Sequence, residues 1–189
     1  MRFLLEIVAG VRARCGKSFP LGVRLSVEEF LGDRGNTLAD SCRIASALEA
    51  GVDFLDISCG GLPDSPGNTV NACVEPGTFE QGWKKYMAAE IKKHVKLPLI
   101  AVANIKEPHV AEAILEEGCC ARGHLADPEW CNKARAGKAD TIRECIGCLM
   151  CFDQLAHFRH VKCSVNPRPA ASASSHISNE TAPAAGWRS

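Results

Sequence analysis

Along the first fifteen residues the apolar positions Phe3, Leu4, Ile7, Val8 and Val11 recur at three- and four-residue spacing. This predicts an amphipathic helix over residues 2–14, stopped by Gly16. Leu21 to Ser26 is a short apolar run carrying one charge, which predicts a buried strand with Arg24 pointing out at its end. Thr37 and Asp40 have capping-box spacing for a helix through Ala47, Leu48 and Ala50, and Gly51 is placed to close it in the left-handed conformation. Val52 to Ser58 reads as the next strand. A loop rich in Gly and Pro follows from Cys59 to Gly77, with Asn68 and Asn71 as candidate polar contacts. Thr78 and Gln81 are expected to cap a helix running to about Val95, and Leu97 to Ala103 forms a third strand. Glu107 to Glu117 is a further helix ended by Gly118. Asp127-Pro128 opens another, with Asp as N-cap and Pro in the first turn.

Strands and helices thus alternate, the signature of a parallel α/β sheet, either a barrel or doubly wound. Residues 119–127 leave no run long enough for the strand expected between two of the helices, so one strand reads as deleted. Beyond Pro167 the chain turns to Ala, Ser, Pro and Thr without periodicity and is expected to be a disordered tail.

Composition narrows the function. The 22 basic and 22 acidic residues cancel and form no basic block, which argues against nucleic acid as a partner. No apolar run approaches the roughly 20 residues that span a bilayer, and the N-terminus lacks a secretory pattern, so no membrane partner and a cytoplasmic location are expected.

Eleven cysteines in such a chain point to metal. Cys145, Cys148 and Cys151 are each separated by two residues, and Cys163 follows after a longer loop near Val165-Asn166-Pro167. Three closely spaced thiolates and a distant fourth suit a cubane iron–sulfur cluster. A four-cysteine zinc site and plain buried cysteines are the rival readings. His157 and His160 lie in the same loop as possible substitutes for a ligand, although solvated side chains are the simpler reading. Cys15, Cys42, Cys59, Cys73, Cys119, Cys120 and Cys131 show no ligand spacing and read as packing.

Several blocks carry a family resemblance: Arg2 to Ile7, Gly22-Val23-Arg24-Leu25-Ser26, Asp53 to Ser58, Ile100 to Ile105, Gly123 to Pro128 and Cys145-Ile146-Gly147-Cys148. In this order they resemble the old yellow enzyme family, and within it the iron–sulfur flavoenzymes similar to dienoyl-CoA reductase and the NADH:flavin oxidoreductases. The resemblance covers residues 1–167. It implies an α/β fold, the C-terminal half of a (β/α)8 TIM barrel with one strand deleted, at residues 1–140. A [4Fe-4S] segment at 141–167, held by Cys145, Cys148, Cys151 and Cys163, and the tail at 168–189 follow.

Such enzymes carry FMN at the C-terminal mouth of the barrel. By the resemblance, Arg24 would contact the pyrimidine side of the flavin; a surface arginine is the plain alternative. Ala103 and Asn104 would offer backbone N–H groups to the FMN phosphate, and Arg122 and Gly123 would form the other half of that site. The pattern departs from the family at three points: Ala103 stands where Gly is usual, Ala121-Arg122-Gly123 lacks its preceding strand, and two rather than three residues separate Cys148 from Cys151. The first four barrel strands, the family's proton-donating Tyr and its FAD domain have no counterpart in these residues. Tyr86 falls within an amphipathic helix and reads as packing.

The function expected is an FMN-dependent oxidoreductase of the enoate-reductase kind, with weak or no turnover as an isolated piece. It would act on a small-molecule substrate and draw on NAD(P)H indirectly. A chain supplying the missing half-barrel, or self-association, would complete it. The rival is a non-catalytic iron–sulfur or zinc-binding remnant.

Overall fold

The computed structural model describes residues 1–61, 73–102, 104–115 and 123–167. Helix α1 (Arg2–Cys15) forms as expected and ends where Gly16 turns to φ 82°. Three parallel strands follow, β1 (Gly22–Ser26), β2 (Phe54–Ser58) and β3 (Leu99–Ala101), paired in chain order. Parallel neighbours require crossover connections. Helix α2 (Leu38–Leu48) lies between β1 and β2 in sequence, and α3 (Lys85–Lys92) between β2 and β3. The chain continues through α4 (Pro108–Leu115), the short α5 (Gly123–Ala126), α6 (Trp130–Arg135) and α7 (Met150–Ala156). The fold is therefore α/β, built on a small parallel sheet.

Register decides which side chains face the helices. Leu25 pairs with Ile57, and Val23 with Leu55, so these four share one face of the sheet. Leu25, Leu55 and Ile57 are buried with Ala45 and Leu48 of α2 and with Met87 and Ile91 of α3, forming the main core. Arg24, Ser26, Asp56 and Ser58 occupy the alternate positions, so the opposite face is largely polar, with Phe54 and Ile100 as its apolar members. No helix among the described residues is long and apolar enough to cross a membrane.

Local chemistry explains where the elements depart from expectation. The capping box of α2 is present, with Thr37 and Asp40 exchanging side-chain and backbone hydrogen bonds. Gly51, however, is not in the left-handed region. It is required for space, since a Cβ there would lie 2.6 Å from Val8 Cγ1, where α1 packs onto the turn after α2. Thr78 and Gln81 do not cap α3. Residues 77–84 form turns, with Gly82 at φ 71°, and the helix begins only at Lys85. Gln81 instead accepts the amides of Lys106 (2.8 Å) and Glu107 (3.1 Å), immediately before α4.

Asp127 likewise acts outside the expected N-cap position. Its Oδ1 accepts the Glu129 amide at 3.0 Å, but Glu129 is the N-cap and α6 starts at Trp130, because residues 128–129 turn first. Tyr86, expected to pack, is about half exposed at 49%. The helices at 123–126 and 150–156 carry no strong capping or periodic signal in the sequence. Asn68 and Asn71, Gly118, residues 119–122 of the segment read as lacking a strand, and the tail from 168 onward lie outside the described residues.

Candidate functional site

The candidate residues fall into two groups, one on the parallel sheet and the turn after it and one in the cysteine segment. In the first, Arg24 is the middle residue of β1, not its end, so it projects from the polar face of the sheet. Its Nη1 donates to Asp56 Oδ2 at 2.7 Å and its Nη2 to Ser58 Oγ at 3.2 Å, both on β2. A guanidinium carries five N–H donors, so these bonds leave donors for a ligand, and 57% of the side chain is exposed. The second oxygen of Asp56, Oδ1, is buried and has no hydrogen-bond partner among the described residues. An orphaned acceptor beside a cation with spare donors matches an imide edge, which offers both N–H and C=O groups.

Just past β3, Asn104 is buried and left-handed at φ 53°, a conformation Asn tolerates better than most residues. Its Nδ2 donates to Phe79 O at 3.0 Å, tying this turn to the segment before α3. Gly123 opens α5 alongside: a Cβ on it would sit 3.6 Å from Ile105 O and 3.5 Å from the Trp130 ring. Trp130 Nε1 in turn donates to Lys106 O at 2.9 Å. The turn at 104–106 and Gly123, nineteen residues apart in sequence, are therefore neighbours. Ala103 and Arg122 lie outside the described residues.

The second group is the cysteine set. Cys145, Cys148, Cys151 and Cys163 all line one small cavity of about 20 Å³, bordered by Leu125, Ala126 and Val165. The backbone curls around it through left-handed turns at Gly147 (φ 64°) and Leu149 (φ 59°). Hydrogen bonds lower the Cys148 thiol pKa, chiefly from the Ser164 hydroxyl at 3.1 Å and then from backbone N–H groups, including that of Met150. Donors aimed at sulfur favour the thiolate, the form that binds metal. His157 does not join this group; its Nδ1 is 2.8 Å from the Asp153 carbonyl, on the exposed side of α7.

The two groups meet through the Pro76–Phe79 segment. Gly77 N donates to Gly147 O at 3.0 Å, so the cysteine loop lies directly on the chain that Asn104 holds. Asn166 Nδ2 donates to Leu125 O at 2.9 Å and so ties the chain after Val165 to Leu125, both of which line the cysteine cavity.

A further feature is not visible in the sequence. Glu75 and Lys84 form an ion pair that is almost wholly buried, and Trp83 Nε1 also donates to Glu75 Oε1 at 3.2 Å. Beside them, burial pushes the Cys59 thiol up to about 11. Spacing alone gives no signal for this pair, because Glu75 comes from a loop and Lys84 from the turn before α3.

The chain has clear relatives among known proteins. Residues 1–141 match the NADH:flavin oxidoreductase / NADH oxidase family. The chain is 41% identical over 175 residues to an NADH oxidase of Thermoanaerobacter brockii, covering 88% of this chain and 26% of that protein. It is 37% identical over 174 residues to a metal reductase of Desulforamulus reducens, covering 88% of this chain and 25% of that protein. Among solved structures, 2-naphthoyl-CoA reductase in complex with 2-naphthoyl-CoA superposes with a TM-score of 0.78 at 30% identity, covering 89% of this chain and 26% of that one. The chain thus spans about a quarter of the length of the relatives it matches. With the polar sheet face, the turn after β3 and the match over residues 1–141 in agreement, the chain belongs to the NADH:flavin oxidoreductase / NADH oxidase family.

Proposed function

We propose that this chain forms the C-terminal half of an FMN-binding (β/α)8 barrel together with the [4Fe-4S] segment that feeds it electrons, within an NAD(P)H-dependent oxidoreductase. The observation that carries the proposal is the direct seating of the four-cysteine loop, through Gly147 on Gly77, against the segment that packs on Asn104. Iron–sulfur and flavin groups held on either side of one short backbone segment would be close enough to exchange electrons.

Bound FMN would supply hydride to a small activated alkene or conjugated acyl substrate. The chain's own residues bind and orient. Arg24 offers its spare N–H groups to the pyrimidine edge and places a positive charge where negative charge would accumulate on reduction. Asp56 and Ser58 hold that guanidinium in position. Asn104 and Gly123, neighbours across the turn after β3, would form the phosphate end, to which Ala103 and Arg122 are assigned by sequence. Cys145, Cys148, Cys151 and Cys163 ligate the cluster, and the Ser164 hydroxyl and the Met150 amide steady the Cys148 sulfur. Two residues between Cys148 and Cys151, rather than three, still permit ferredoxin-like ligation.

The test is titration of the purified chain with FMN and with riboflavin, followed by flavin fluorescence. Saturable quenching by FMN, with clearly weaker quenching by riboflavin, supports the phosphate end and the flavin reading together. Absence of saturable quenching in a chain that nevertheless carries iron and sulfide would favour the non-catalytic remnant.

A further inference from the structure

The outer surface of the fold, away from the polar sheet face, holds a second group of ligating side chains. Cys42 projects from α2, Glu90 from α3, and His94 from the turn that follows α3. One ligand atom from each lies within 4.8 Å of the other two. Glu90 Oε1 is 3.7 Å from His94 Nε2, while Glu90 Oε2 accepts from Lys93 Nζ at 2.6 Å. One carboxylate oxygen is thus held from behind while the other faces the imidazole, the outer-shell arrangement that orients metal-binding carboxylates. The three side chains line an open groove that also includes Leu38, Ala39 and Ser46.

The two helices are locked to each other at this point. Ser46 Oγ donates to His94 O at 3.3 Å and to Cys42 O at 3.0 Å, so one hydroxyl bridges the backbones that carry two of the three ligands. The Lys96 amide donates to Glu49 Oε1 at 2.6 Å and fixes the chain just beyond His94 to the end of α2. Arg43, the other charge at the groove, is engaged by Asp40.

We propose that Cys42, Glu90 and His94 form a site for a zinc-class divalent cation, with water as the fourth ligand, that ties α2 to α3. A thiolate, an imidazole and a carboxylate suit a borderline-soft ion and do not suit Mg²⁺ or Ca²⁺, which take oxygen ligands. A tetrahedral zinc ion needs its ligand atoms roughly 3–4 Å apart, so small side-chain adjustments from the observed spacing suffice. Binding forms the metal–sulfur bond and releases the Cys42 proton to solvent, with no change of oxidation state. The site is independent of the flavin and of the four-cysteine loop.

The experiment is calorimetric titration of the full chain with Zn²⁺ and with Mg²⁺, comparing wild type with Cys42→Ser, His94→Ala and, as a control, His124→Ala. His124 Nε2 lies 3.7 Å from Cys131 Sγ and is the competing surface pair. Because the result is read as the difference between wild type and variant, zinc taken up by the Cys145 loop does not enter. The expected result is a Zn²⁺ site, beyond any taken by the Cys145 loop, that weakens about tenfold or more in Cys42→Ser and in His94→Ala and is retained in His124→Ala. Mg²⁺ should give no such site. Should Cys42→Ser not fold, His94→Ala decides, since that side chain is 45% exposed and carries little of the core. Unchanged zinc stoichiometry and affinity in His94→Ala, or loss only in His124→Ala, would overturn the proposal.

Discussion

Gly77 and Gly147 meet backbone to backbone: the amide of one donates to the carbonyl of the other at 3.0 Å, and a Cβ on Gly147 would lie 2.4 Å from the Gly77 chain. Gly147 also holds φ 64°, so an alanine there meets both strain and collision. Gly147→Ala should cost about 2–4 kcal/mol locally and open the four-cysteine loop. Iron retained after anaerobic purification, read beside the denaturation midpoint, checks this. Iron content equal to wild type would show that the contact does not seat the loop.

Arg24 and Asp56 are coupled, so their variants should not behave additively. Arg24→Ala leaves Asp56 with both carboxylate oxygens uncompensated, and should weaken FMN binding by about tenfold or more as well as lower stability. Arg24→Ala combined with Asp56→Asn should recover stability but not FMN affinity. Fluorescence titration and urea unfolding of the three variants separate the two effects.

Helix α1 meets the fold through Val8, its buried residue, packed against the turn at Gly51, and through Arg12, which donates to Gly51 O at 2.8 Å and pairs with Asp53 at 2.6 Å. Gly51→Ala should destabilise by about 1–3 kcal/mol through overpacking, and shortening the neighbour in Val8→Ala should relieve part of that loss. A double-mutant cycle with a coupling near zero would contradict the close approach.

Asp127 supplies the clearest pH dependence. Burial raises its pKa, but the Arg143 amide, the Lys133 ammonium at 2.6 Å and the Glu129 amide outweigh that and hold it below the usual carboxylate range. A lowered folded-state pKa adds stability that is present above the unfolded value, about 3.9, and is lost as pH falls through the folded value. Stability should therefore drop below about pH 4, and Asp127→Asn should flatten part of that drop while costing about 1–3 kcal/mol at neutral pH. Urea midpoints between pH 3 and 7 decide it. Since Asp127 holds the Arg143 amide two residues before Cys145, iron retention should fall with it.

Much of this architecture is legible in local residue chemistry. The period of α1, the Thr37–Asp40 capping box and the apolar runs of β1 and β2 depend on neighbours within a few residues, and the structure follows them. Legibility fails where distant groups decide. Gly51 looks like a helix terminator, yet its role is set by Val8, more than forty residues earlier. Gln81 looks like a cap for α3, yet it is claimed by the amides before α4.

The same division runs through the candidate sites. The short Cys145–Cys151 repeat announces itself, and the fourth cysteine lines the same cavity. Cys42, Glu90 and His94 have no spacing to announce them, because the helix pairing of α2 with α3 brings them together. Asp56 is likewise just an alternating strand position until the β1–β2 register sets it beside Arg24.

The central claim is that the four cysteines hold an iron–sulfur cubane against a flavin-binding half-barrel. The most direct measurement is anaerobic purification of the full chain followed by metal, acid-labile sulfide and visible-absorption analysis, with Cys148→Ser in parallel. About four irons and four sulfides per chain, a broad visible absorption bleached by reduction, and loss of both in Cys148→Ser are the predicted result. One zinc per chain bound by the same cysteines, without iron or sulfide, would contradict it.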